Sequence, residues 1–170
     1  MNKKLIPSFV ASSIYDLDFN KIVDMGIKYI FVDLDNTLAS PYVYEPEENT
    51  IKLIKNIKEL GLNITILSNN HQERVSKFAN KLDVSYLYEV KKPSIKKISK
   101  YIKDNKIDSS KCLSIGDQVM TDVLMANKMN FKVILVNPLT KKDELITFVP
   151  RMLDTYFRRK MQRKKLLKEI

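Results

Sequence analysis

Asp33 and Asp35, two carboxylates one residue apart, close an apolar run in Phe31-Val32-Asp33-Leu34-Asp35-Asn36-Thr37. Alternate residues of extended chain point to one side. Like charges held that close repel unless a cation lies between them or one carries a proton. The pair therefore suits either a divalent-metal site or a nucleophile beside a general acid. A lone D-x-D is equally compatible with a strand-end turn. The chain carries its own comparison in Asp16-Leu17-Asp18, which lacks both a preceding apolar strand and a following Thr. Those acids are expected at the surface or as caps.

Three further polar groups follow apolar runs. Ser68-Asn69-Asn70 comes after residues 62–67, and a small hydroxyl there can bond a phosphate oxygen, although Ser and Asn are also common caps. Lys91-Lys92-Pro93 comes after residues 84–90. An ammonium at that edge can balance the charge of a phosphate, and Pro93 favours extended backbone at Lys92. Gly116-Asp117-Gln118-Val119-Met120-Thr121-Asp122 comes after residues 112–115. Its carboxylates suit a hard cation such as magnesium, while Thr121 and Asp122 also suit a helix start.

The elements that must position these groups alternate. Strands are expected over 29–34, 62–67, 84–90, 112–115 and 131–136, with helices over 46–60, 72–82, 94–104 and 121–128. The helix over 46–60 shows Ile51, Ile54, Ile57 and Leu60 on one face, with Gly61 placed to end it. Such alternation predicts an α/β fold: three layers, a parallel sheet with helices on both faces. Sites in such sheets lie beyond the carboxyl ends of the strands, which is where all four motifs fall.

The 170 residues are 44% hydrophobic and 29% charged, which suits one soluble domain with a sizeable core. A single cysteine, Cys112, excludes an internal disulfide and a multi-cysteine zinc site. Its apolar surroundings suggest a buried thiol. His71 is the only histidine and is expected at an exposed helix start. No long apolar span is present, and the apolar stretch 5–11 is broken by Pro7, so a cytoplasmic protein is expected. The net charge is +10, and residues 151–170 hold eight Lys or Arg against two acids. That segment reads as an amphipathic basic helix following a domain over 1–150. It could lie on an anionic membrane at its inner face, contact nucleic acid, or dock its apolar side on the domain.

Taken in order, the four motifs resemble those of the haloacid dehalogenase (HAD) superfamily, subclass IIIA, across residues 28–137. Leu5-Ile6-Pro7 and Gly26-Ile27-Lys28 look like its YqeG-type branch, which is similar to phosphatidylglycerophosphate phosphatases. The resemblance implies a Rossmann-like core and a magnesium-dependent phosphatase. Asp33 would be the nucleophile forming an aspartyl-phosphate, and Asp35 the acid and base whose backbone carbonyl also helps bind the metal. Ser68, Asn69 and Lys92 would bind the phosphoryl group. Asp117 would complete the magnesium site, with Asp122 as a neighbouring acid. The stretches from Asp35 to Thr65 and from Ser68 to Lys92 are too short for a cap domain, so the substrate is expected to be bulky or surface-presented, such as a lipid-linked phosphomonoester. The loop over 39–45, with Tyr42 and Tyr44, either covers part of the site or packs on the sheet. A second reading keeps the fold as a binding module for RNA or a ribosomal particle through the basic tail.

Overall fold

The structure is a computed structural model that describes residues 2–140 and 148–170. Six strands form one sheet: β1 (Phe9–Ala11), β2 (Tyr29–Asp33), β3 (Asn63–Leu67), β4 (Ser85–Leu87), β5 (Cys112–Gly116) and β6 (Lys132–Val136). Their order is β1-β6-β5-β2-β3-β4, and every pair is parallel. The helices are α1 (Phe19–Asp24), α2 (Glu48–Glu59), α3 (Gln72–Leu82), α4 (Lys96–Asp104), α5 (Leu124–Lys128) and α6 (Phe148–Arg163).

The central strands are apolar on both faces because both faces are covered. Ile30, Val32, Ile64, Ile66, Leu113 and Ile115 face a core shared with Phe19 and Ile22 of α1, Ile54 and Ile57 of α2, and Val75 and Phe78 of α3. Phe31, Leu67, Cys112, Val133 and Leu135 face a second core with Ile98 of α4, Met125 of α5 and Met161 of α6. The three-layer α/β expectation holds, and no inserted domain appears among the described residues.

Details differ from the sequence reading for local reasons. In α2 the buried stripe is Thr50, Ile54 and Ile57, which leaves Ile51 47% exposed. Leu60 caps that helix and Gly61 follows at φ 76°, a conformation glycine adopts without strain. The segment expected as a strand over 84–90 pairs only at β4, because residues 88–92 leave the sheet through turns at Glu89 and Lys91. The helix expected from Thr121 begins with a π turn at Val119–Val123 before α5. β1 was not anticipated; three residues are too few to show a period. Helix α6 stops at Arg163, and the chain then returns so that Glu169 bridges Val10 beside β1. No helix among the described residues is long and apolar enough to cross a membrane.

Candidate active site

Register brings the motifs together. Asp33 pairs with Leu67 and Val32 with Ile115, so Ser68 and Gly116-Asp117 emerge on either side of the β2 tip. Ser68 and Val90 are tied by a backbone bond of 3.1 Å, which returns the chain beyond β4 to the same edge. Asn69 then fixes Lys92: its Oδ1 accepts from the Lys92 amide at 2.7 Å, and its Nδ2 donates to the Lys92 carbonyl at 3.4 Å.

Lys92 is buried. Its Nζ donates to Asp33 Oδ1 at 2.5 Å, to Asp122 Oδ1 at 2.6 Å and to the Leu67 carbonyl at 3.4 Å. The other oxygen of Asp122 accepts from the Gln118 amide at 3.1 Å and from Thr121 Oγ1 at 3.3 Å. Asp122 reaches this position because Gly116 has no side chain; a Cβ there would lie 2.3 Å from Asp122 Cγ. Single oxygens of Asp33, Asp117 and Asp122 all lie within 4.8 Å of one another.

Three carboxylates and one ammonium leave two negative charges in a buried site if every acid is ionised. The electrostatics show that imbalance. Burial, opposed by Lys92 and reinforced by Asp122 and Asp117, holds Asp33 well above the usual carboxylate range. Burial and Asp122 push Asp117 up to about 7. Burial alone would lower the Lys92 pKa, but Asp122 and Asp33 outweigh it and raise it. Asp117 Oδ1 is buried without a partner. A cluster of oxygen donors short of two positive charges, one oxygen unpaired, fits a hard divalent cation, with Asp33, Asp117 and Asp122 able to hold it.

The side chain of Asp35 stands outside that cluster. Its Oδ1 accepts from Arg74 Nη2 at 3.1 Å, and its Oδ2 accepts from Ser68 Oγ and Asn70 Nδ2, both at 3.4 Å. Arg74 was missed in the sequence. It is buried, its Nε and Nη1 lack partners, and its guanidinium lies 5.2 Å from the Tyr44 ring centroid and 5.5 Å from that of Phe78. Spacing held the signal, since Arg74 stands four residues before Phe78 on the buried stripe of α3. The buried side-chain polar atoms left unpaired among the described residues come from Asn36, Thr37, Arg74 and Asp117. They gather at this edge, as expected where a ligand completes the bonding.

The remaining candidates fall elsewhere. Asp18 caps α1 by accepting from the Asn20 amide at 3.0 Å, and Asp16 is exposed. His71 sits at the start of α3, its exposed ring 3.0 Å from Glu89 Oε1. Burial pushes the Cys112 thiol up to about 12, which removes it as a nucleophile. Tyr42 and Tyr44 are 52% and 61% exposed and do not pack into the sheet.

Strand-end motifs in this order on a parallel sheet follow the haloacid dehalogenase pattern, and the chain is a phosphatase of that type. The family described as "Mitochondrial PGP phosphatase" matches residues 1–140, and the chain belongs to it. The Bacillus subtilis protein named "Probable phosphatase YqeG" is 30% identical over 164 residues, covering 96% of this chain and 95% of that one. "Phosphatidylglycerophosphate phosphatase 1, chloroplastic/mitochondrial" of Arabidopsis thaliana is 25% identical over 154 residues, covering 82% of this chain and 43% of that one. An uncharacterized protein from Listeria monocytogenes serotype 4b shares the fold, with a TM-score of 0.54 at 13% identity over 78% of this chain and 99% of that one. These matches favour a phosphatase over a binding module.

Proposed function

We propose that this chain hydrolyses a phosphomonoester with magnesium bound by Asp33, Asp117, Asp122 and the Asp35 backbone carbonyl. The carrying observation is Asp33 held at the strand tip by a buried lysine inside a carboxylate cluster. When bound, the cation offsets the repulsion between the Asp33 carboxylate and an anionic phosphate. A carboxylate oxygen of Asp33 forms a bond to phosphorus as the bond to the leaving oxygen breaks. Asp35 gives that oxygen its proton. The Asp35 carboxylate then takes a proton from water, whose oxygen attacks phosphorus and releases Asp33 and inorganic phosphate. Ser68 and Lys92 bind the transferring phosphoryl group, and Asn69 contributes by holding the Lys92 backbone. Arg74 keeps Asp35 turned toward Ser68.

The substrate is read as a phosphatidylglycerophosphate-like lipid or another bulky ester. The family description, the name of the plant relative and the uncapped strand edge support this. Exposed Met152, Leu153 and Tyr156 on the basic helix suit peripheral contact with an anionic membrane, which agrees with a lipid substrate.

The test is a phosphate-release assay with magnesium or with EDTA, comparing wild type with Asp33→Asn. Substrates would be phosphatidylglycerophosphate in micelles, sugar phosphates and nucleotides. Loss of turnover in EDTA and in Asp33→Asn is expected, with the lipid preferred. Equal activity of Asp33→Asn would sink the mechanism, and preference for a small metabolite would sink the substrate reading.

A further inference from the structure

Helix α6 lies beyond the family match, yet two of its side chains reach the turn that carries Asp117. Asp154 Oδ1 accepts from the Val119 amide at 2.6 Å, and Asp154 Oδ2 pairs with Arg158 Nε at 2.6 Å. Arg158 Nη2 donates to the Asp117 carbonyl and, at 2.8 Å, to the Val136 carbonyl, while Nη1 donates to Asn137 Oδ1 at 3.3 Å. The Asp117 carbonyl belongs to the first peptide unit after that residue, and the Val119 amide to the second. Both units are thus held from one helix turn.

That grip bears on the site because Asp117 Oδ1 is buried with no partner of its own. No hydrogen bond at that oxygen sets its direction, which gives the backbone that carries it the larger part. The helix is itself anchored: Met161 is fully buried in the core with Phe31 and Leu135, and Phe157 packs against it. The side chains of Arg158 and Asp154 are 22% and 14% exposed, so this pair is turned inward while neighbouring Tyr156 is 54% exposed.

We propose that the Asp154–Arg158 pair positions Asp117 for divalent-cation binding, making α6 a working part of the phosphatase site. This rests on the reading of Asp117 as a metal ligand. Outer partners that orient a ligand typically contribute 10–100-fold to metal affinity.

The experiment uses the full chain as wild type, Asp154→Ala, Arg158→Ala and the double variant. Thermal unfolding is followed across a magnesium titration and in EDTA, beside the magnesium dependence of p-nitrophenyl phosphate hydrolysis. The half-saturating magnesium concentration is expected to rise about 10-fold or more in each single variant. The double variant should be no worse than the weaker single, since the two side chains act as one unit. An unchanged magnesium midpoint, or equal loss of Tm in EDTA and in magnesium, would overturn the proposal and leave the helix a merely structural prop. A wild type whose Tm and turnover ignore magnesium would instead remove Asp117 as a ligand, and this proposal with it. Should an alanine variant fail to fold, Arg158→Lys gives the same reading, because it keeps the charge but loses the guanidinium that reaches four acceptors.

Discussion

Lys92 Nζ lies 2.5 Å from Asp33 Oδ1, with the lysine side chain 3% and the aspartate 10% exposed. The two come from positions 59 residues apart and meet in a buried site. Such a pair adds little net stability when intact, because desolvation offsets attraction, but breaking it strands a buried charge. The lysine also neutralises only part of the charge around it, since Asp122 shares the same ammonium.

Replacing Lys92 by Met should therefore cost both stability and turnover. Urea unfolding should show a loss of about 3–5 kcal/mol, the usual cost of leaving one partner of a buried pair alone. Turnover should fall about 100-fold or more if Lys92 donates to the transferring phosphoryl group as proposed. A variant that keeps wild-type turnover would show that the lysine serves packing alone.

Arg74 offers a separate test of Asp35. Arg74→Lys keeps the charge but loses the planar guanidinium whose Nη2 donates to both Asp35 and the Ser40 carbonyl. Hydrolysis of an alkyl phosphate, whose leaving oxygen needs a proton, should slow about 10–100-fold. Hydrolysis of p-nitrophenyl phosphate, whose leaving group needs little help, should slow much less. Equal slowing of both would mean that Arg74 supports the fold and not the acid.

Much of this site was legible because each motif ends an apolar run, and parallel strands set the ends of such runs side by side. Asp33, Ser68 and Asp117 follow from that rule with the register Asp33 to Leu67 and Val32 to Ile115. Lys92 was legible only through its neighbours, since β4 ends at Leu87 and turns carry the chain on to the site. Arg74 was hidden among Gln72, Glu73 and Lys77, which give α3 the look of a solvated face. The inward turn of Asp154 and Arg158 was hidden for a similar reason: a segment dense in Lys and Arg does not reveal which cation has found a buried carbonyl. β1 was too short to show alternation.

Proton linkage gives a third expectation. The folded state raises Asp117 from 3.8 to about 7 and raises Asp33 as well, both chiefly by burial. Between those values the folded protein binds protons that the unfolded chain has released. Stability in EDTA should then be greatest below pH 4 with respect to these groups and should fall as pH rises toward 7. Saturating magnesium should flatten that slope, because the cation replaces the protons, and should raise Tm most near pH 7. Urea unfolding at pH 5 and pH 7, each with EDTA and with magnesium, measures both effects; a slope indifferent to magnesium would contradict the carboxylate site.

Gly116→Ala tests how closely the site is packed. The added methyl would meet Asp122 at 2.3 Å from Cγ, 2.5 Å from Cβ and 2.6 Å from Oδ2, distances that no side chain can share. Asp122 is buried and held by Lys92, the Gln118 amide and Thr121, so its displacement breaks all three contacts together. Overpacking of this kind typically costs about 1–3 kcal/mol. The loss of turnover should be larger than that figure implies, because Lys92 and Asp33 lose their shared neighbour. Asp18→Ala provides the contrast: it removes the α1 cap at a cost of about 1 kcal/mol and should leave turnover per folded molecule unchanged. If Gly116→Ala lowers Tm no more than Asp18→Ala and keeps wild-type turnover, Asp122 does not need its observed place, and the charge balance drawn around Lys92 fails with it.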